Sequence, residues 1–244
     1  MMVTAAEVKR DLWQLADPQK QIILSSFFKT GKGEYGEGDQ FLGVVVPKQR
    51  ALVRKYKDME LDEIAMLLND PLHECRLTAL FFLARLYCRA ETEDRKTSLY
   101  RFYCRHLSRI NNWDLVDLSA PAIVGEHLLH RDKGILYDWA ASRRLWEQRI
   151  AIMATFAFIK HHHFGDTLNI ARLLLGHSHD LIHKAAGWML REVGKRDLAA
   201  ERLFLDTPHM DQGTTYRVMP RTMLRYAIEK FPEPLRQQYL RGNV

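Results

Sequence analysis

The 244-residue chain has only three cysteines, Cys75, Cys88 and Cys104, and no CxxC pair among them. An odd, scattered set excludes a disulfide framework. Each cysteine lies in an apolar helical stretch, so reduced thiols in a cytoplasmic protein are expected. No apolar run approaches the roughly 18 residues that a membrane span requires, so no membrane association is expected. Met1-Met2-Val3-Thr4-Ala5-Ala6-Glu7 lacks a basic segment leading into an apolar run and does not read as a signal peptide. Strand-like sequence is scarce: Phe41 to Val46 could pass for a strand, but it has no obvious partner. The one glycine-rich segment, Gly31 to Asp39, lacks the GK[ST] ending of a phosphate-cradling loop, and its acids Glu34, Glu37 and Asp39 would repel phosphate. A connecting loop is its expected role. His179 and His183 have the spacing of a two-histidine zinc helix, but no Glu lies between them. His161-His162-His163 follows an apolar helix and reads as a dipole or phosphate contact. No Ser-His-Asp or Cys-His arrangement can be argued from spacing. Neither a metal nor a cofactor is expected.

What is present has the balance of a soluble globular protein: 47% hydrophobic and 27% charged residues. Lys and Arg number 36 against 30 Asp and Glu, a formal +6 that fits a nucleic-acid partner without requiring one. Thr4 and Glu7 form a capping box for a first helix reaching about Ala16. Asp17-Pro18 starts a second helix running to about Phe28, and Pro47 opens a basic third one through Lys55. From Leu61 onward, helical stretches of 12 to 20 residues alternate with breaks at Asn69-Asp70-Pro71, Asn111-Asn112, Arg131 to Gly134, Gly165-Asp166 and Gly194 to Asp197. Their apolar residues recur at helical spacing, as in Leu77, Leu80, Phe81, Ala84 and Leu86, or Ile150, Met153, Phe156 and Ala157.

A repeat underlies this pattern. Arg76, Trp113, Arg149, Lys184 and Pro220 follow one another at steps of 37, 36, 35 and 36 residues, each early in the second helix of a pair. Near-constant steps of this size predict stacked two-helix units, an all-α HEAT-like solenoid whose second helices line a concave basic groove. One domain spanning residues 1–244 is the expected organisation. Four residues after each anchor stand Leu80, Asp117, Met153, Trp188 and Leu224. Equivalent slots face the same way, so Trp113, Asp117, Arg149 and Trp188 are expected along one surface, though burial between helices is also open to them. Lys48, Arg50, Arg76, Lys184, Arg191, Arg221 and Arg225 flank that set and suit a phosphate backbone. For each basic residue alone, a solvated face or a capping contact is the plainer reading.

The centre of the array is Asn111-Asn112-Trp113-Asp114-Leu115-Val116-Asp117-Leu118-Ser119-Ala120-Pro121. On a helix, Trp113 and Asp117 share a face, with Leu115, Val116 and Leu118 holding the segment down. An indole beside a carboxylate can seat a cation or a positively charged transition state. A first-turn acid and a core tryptophan are the plain alternative.

Trp113-Asp114-x-Val116-Asp117, then Trp146-x-Gln148-Arg149, then Lys184-Ala185-x-Gly187-Trp188-x-Leu190-Arg191-Glu192 and a late Pro220-Arg221 helix together resemble the AlkD-type DNA alkylation-repair glycosylases. The likeness in order and spacing runs from about Phe41 to Phe231; the motifs are specific as a set and weak singly. The resemblance implies an all-helical HEAT-like fold that grips duplex DNA and hydrolyses the N-glycosidic bond of N3- and N7-alkylated purines. It implies Asp117 as catalytic carboxylate, Trp113 and Trp188 as aromatic walls, and Arg149 as a backbone contact beside the lesion. It also implies that the base is not drawn into a tight pocket, unlike most enzymes acting on bases. One departure stands out: some members carry a second Trp just before position 113, where this chain has Asn112. The Gly31 to Asp39 loop is also longer than in some members. No lysine is placed with Asp117 as a Schiff-base nucleophile, so hydrolysis without strand cleavage, by a monomer, is expected. A non-catalytic HEAT-like scaffold for nucleic acid or protein is the alternative.

Overall fold

Side-chain caps written into the sequence start several of the helices. A computed structural model describes residues 2–56, 58–209 and 213–244. In it the Thr4 hydroxyl accepts from the Glu7 N–H while the Glu7 carboxylate accepts from the Thr4 N–H, the capping box that opens α1 (Ala5–Gln14). Asp17 caps α2 (Pro18–Phe27), whose Pro18 has no amide hydrogen to leave unpaired. α3 (Val46–Lys55) takes Pro47 in its first turn. α4 (Leu61–Leu68) and α5 (His73–Arg89) follow, then α6 (Glu93–Arg105) under a Thr92 cap and α7 (Trp113–Asp117) under Asn112.

After a π turn, Pro121–Gly125, come α8 (Glu126–Leu128), α9 (Gly134–Ala141) and α10 (Leu145–Lys160). α11 (Gly165–Leu173), α12 (Asp180–Gly194) and α13 (Leu198–Asp206) continue the series, and α14 (Thr215–Val218), α15 (Arg221–Ala227) and α16 (Glu233–Arg241) close it. Gly242, at φ 75°, ends α16 in the left-handed conformation that glycine adopts without strain.

The fold is the all-α helical repeat that the periodicity predicts. Arg76, Trp113, Arg149 and Lys184 fall within the first turn or two of α5, α7, α10 and α12, and Pro220 is the cap of α15. Two details differ from the sequence reading. The first helix of a pair is short, 8 residues in α4 and α9 and 9 in α11, and α9 and α11 end at breaks, at Ser142 and Leu174, that the hydrophobic spacing does not mark. The break expected at Gly165-Asp166 instead precedes it, at His161 to Phe164, where His162 takes φ 59°.

The chain forms two compact units, residues 1–123 and 124–244. In the first, α5 is the central helix, packed by α1, α3, α4 and α6. It is buried from His73 to Leu83, with Leu77, Leu80, Phe82 and Leu83 at the centre. In the second, α10 and α12 are central, and Ile150 to Ala154 of α10 are fully enclosed. Close approach there depends on Gly187, where an added Cβ would lie 2.4 Å from the Met223 carbonyl of α15.

Phe41 to Val46 is not a strand. Among the described residues the only nearby pairing is a single bridge between Gln40 and Leu72. The extended segment spends its amides on a side chain instead: the buried Glu74 carboxylate accepts from Leu42 (3.0 Å), Gly43 (2.8 Å) and Val44 (3.1 Å). Gly43 sits at φ 86° with its Cα packed on the Asp17 carbonyl, leaving no room for a side chain.

Candidate active site

The helix that carries Trp113 and Asp117 is short for reasons visible in its flanks. It starts where the Asn112 side-chain oxygen accepts the Trp113 N–H at 2.8 Å. The α pattern ends at Asp117, since the Ser119 N–H already turns to the Val116 carbonyl, and Pro121 has no amide hydrogen to offer the Asp117 carbonyl. The Ser119 hydroxyl turns back to donate to the Leu115 carbonyl, and the buried Tyr103 hydroxyl meets it at 3.0 Å. Leu115 and Val116 anchor the helix in the core, whereas Leu118, expected to do the same, is part-exposed. A π turn over Pro121–Gly125 follows.

Trp113 and Asp117 are both half-buried and lie one turn apart. One face of the Trp113 indole is stacked on Phe28, with ring centres 4.9 Å apart and planes at 12°, and Phe27 meets it edge-on at 5.7 Å. The stack continues inward from Phe28 to Phe41 (5.0 Å) and from Phe41 to His73 (4.5 Å). Burial pushes the Tyr103 phenol up, and the charge of Asp117 pushes in the same direction.

Asp114 is no solvent-facing first-turn acid. It is 5% exposed, accepts the Leu115 N–H and pairs with His73 Nε2 at 2.8 Å. His73 Nδ1 reaches Asp39 at 3.1 Å; Asp39 in turn holds Arg76 (2.5 Å) and the Asn112 amide (3.0 Å). Burial alone would lower the His73 imidazole, but the Asp114 charge, together with hydrogen bonds to Asp114 and Asp39, raises it to about 9. Burial works to raise Asp39, yet His73, Arg76 and Asn112 together hold it below the usual carboxylate range. Two cations and two anions therefore balance beneath α7.

The Gly31 to Asp39 loop is thus more than a connector, since it delivers Asp39 to this cluster. It fits because Gly36 passes the Phe28 carbonyl so closely that a Cβ would lie 2.3 Å from it. Asn112, where some members of the resembled family carry Trp, is fully buried and structural.

Most of the other expected groups lie in the second unit. Trp188, on α12, is half-buried, donates its indole N–H to Glu192 at 3.3 Å and is inclined to Phe156 at 6.4 Å. Lys160 and Arg196 cover the Phe156 ring. Burial acts to raise Glu192, but Lys195, Arg196 and the Trp188 N–H hold it low. Lys184 pairs with Asp180 at 2.7 Å, Arg191 with Glu229, and Arg221 donates to the Leu240 carbonyl at 2.9 Å. Arg225 is exposed, as are Lys48 and Arg50 in the first unit, where Arg50 lies over the Phe81 ring at 4.4 Å.

Two expected phosphate contacts need correction. Arg76 is 2% exposed and serves the Asp70 and Pro71 carbonyls besides Asp39. Arg149 is 4% exposed and donates to the Leu181 carbonyl at 2.5 Å. A shared repeat position fixes where on the helix a residue falls, but in these two slots the side chain turns into the neighbouring turn. The histidines at the start of α12 are likewise engaged: His177 with Gln148 at 2.9 Å, His179 with the Leu181 N–H at 3.1 Å and His183 with the His177 carbonyl at 2.5 Å. His73, Asp39, Phe28 and Glu74 were not singled out from sequence. An acid closing a glycine-rich loop and a histidine opening a helix were the available signals.

Among the described residues no helix is long and apolar enough to cross a membrane. The fold is similar to the solved structure of a predicted DNA alkylation repair enzyme from Enterococcus faecalis. The TM-score is 0.66 at 16% identity, covering 89% of this chain and 97% of that one. No curated protein matches the chain. The family model for DNA alkylation repair enzymes matches residues 8–231, nearly the whole length, and the chain belongs to that family.

Proposed function

We propose that this protein is a monofunctional DNA glycosylase that hydrolyses the N-glycosidic bond of N3- and N7-alkylated purines in duplex DNA. The observation that carries the reading is the pairing of a half-buried carboxylate, Asp117, with a half-buried indole, Trp113, one turn away on a helix clamped from below, in a chain of the alkylation-repair family. An alkylated purine already bears a positive charge, so it departs without a general acid. What remains is to stabilise the sugar as it becomes an oxocarbenium ion and to direct water onto it. Asp117 supplies the negative charge and orients the water. The Trp113 indole offers a π surface that attracts a cationic sugar, and we assign Trp188 the same role, as the resemblance implies. One such preorganised contact is worth roughly a hundred- to a thousand-fold in rate. Lys48, Arg50, Lys184, Arg191, Arg221 and Arg225 supply the phosphate contacts. The whole chain acts as one functional domain, a cytoplasmic monomer on DNA.

The test is release of 7-methylguanine from methylated duplex, with duplex binding followed across salt concentrations on the same preparation. Wild-type protein is expected to release the base without cutting the strand. Asp117→Asn is expected to abolish release and leave binding within about twofold. Full activity in the variant would remove Asp117 from its role. Salt-dependent binding with no release by the wild type would leave a non-catalytic helical scaffold.

A further inference from the structure

We propose that His73 is a positioning residue for the site, holding α7 so that Trp113 and Asp117 are presented in one fixed orientation. The inference rests on the reading of Asp117 given above. His73 grips α7 by two routes at once. Nε2 bonds Asp114 directly at 2.8 Å, and Nδ1 bonds Asp39, which holds the Asn112 amide at the helix start. Its ring is also the innermost plate of the stack that ends in Trp113: His73 on Phe41, Phe41 on Phe28, Phe28 on Trp113. One 2%-exposed side chain therefore fixes both the backbone of the helix and the tilt of its indole.

Two carboxylates receive the two ring nitrogens, so both nitrogens donate and the imidazole is a cation. The charged groups facing it are Asp114 from α7, Asp39 from the loop, and Arg76 from its own helix. Arg109, after α6, feels the charges of Arg76, Asp39 and Asp70. Glu74, adjacent in sequence, is spent on the amides of residues 42 to 44. Neutral His73 would leave one buried anion uncompensated, and α7 would be the element to shift. The raised imidazole, at about 9, agrees with this balance.

The experiment compares wild type, His73→Gln and Asp39→Asn by single-turnover release of 7-methylguanine and by duplex affinity, from pH 6 to pH 10. His73→Gln is expected to slow release roughly tenfold or more, since a misplacement of about 1 Å at a reacting group has that effect, with affinity within about twofold. In wild type the rate is expected to fall above about pH 9, and in Asp39→Asn, which has lost one anion partner, the fall is expected nearer neutrality. Wild-type release rates in His73→Gln overturn the proposal. If that variant does not fold, an alkaline limb in Asp39→Asn that coincides with wild type overturns it, and a shifted one supports it. If wild type releases no base, the glycosylase reading fails while the positioning claim is still judged. The signal then is the fluorescence of Trp113, taken as the difference from Trp113→Phe. A titration present in wild type and displaced in Asp39→Asn supports it, and identical curves sink it.

Discussion

Glu201 gives the sharpest stability prediction, because a buried acid with no adequate partner should be better replaced. It lies on α13, 1% exposed, with Oε1 unpaired and its carboxyl pressed against Gly194. Burial, only partly opposed by the charge of Arg191, pushes the carboxyl from the usual 4.5 up to about 9. The folded chain therefore holds a proton that the unfolded chain releases near pH 4.5. With the folded value the higher one, the contribution to stability is complete below pH 4.5 and drains away as pH climbs through the window to about 9. At about 1.4 kcal/mol per pH unit, the stretch from 4.5 to neutrality removes about 3 kcal/mol. Glu201→Gln keeps the shape of the neutral acid and cannot ionise. It is expected to be about 3 kcal/mol more stable than wild type at pH 7 and level with it at pH 4. At roughly 2–4 °C per kcal/mol for a chain of this size, the melting temperature at pH 7 should rise by roughly 6–12 °C. Circular-dichroism melts of both proteins at pH 4, 5.5, 7 and 8.5 measure the difference. A variant that melts lower at pH 7, or a difference that does not vary with pH, would refute the argument.

Substitutions at two further positions, one in each unit, probe the packing. Glu74→Ala strips the acceptor from three buried amides at residues 42 to 44, at about 1–3 kcal/mol for each unmet group, so urea denaturation should show a loss of at least about 3 kcal/mol. Glu74→Gln, which keeps one carbonyl oxygen, should lose less; equal losses would show that the amides are not what Glu74 serves. Gly187→Ala sets helix preference, worth about 1 kcal/mol in favour of Ala, against a methyl placed 2.4 Å from the Met223 carbonyl. Overpacking by about 1–3 kcal/mol should win, and a thermal melt at or above wild type would contradict the close contact of α12 with α15.

Pattern determined a good deal of this protein unaided. The recurrence of Arg76, Trp113, Arg149, Lys184 and Pro220 located the starts of successive second helices, because a helix pair of fixed length repeats its sequence at fixed intervals. Thr4 with Glu7, and Asp17 with Pro18, marked helix starts because capping is local chemistry between residues three apart. Trp113 and Asp117 were placed on one face by helical spacing alone, and both are open in part to solvent.

Tertiary structure decided which side chains face inward and which distant residues meet. Arg76 and Arg149 occupy the same repeat slot as Trp113 but are buried on backbone carbonyls, because facing depends on the packed neighbour and not on position along the helix. His73 meets Asp39 across 34 residues and Asp114 across 41, separations over which no periodicity carries information. Phe41 to Val46 has the composition of a strand, but the amides of residues 42 to 44 had a carboxylate to bond, and backbone donors met in that way need no partner strand. Local spacing specifies hydrogen bonds within a turn or a cap, whereas a buried charge cluster exists only once separate elements have closed around it.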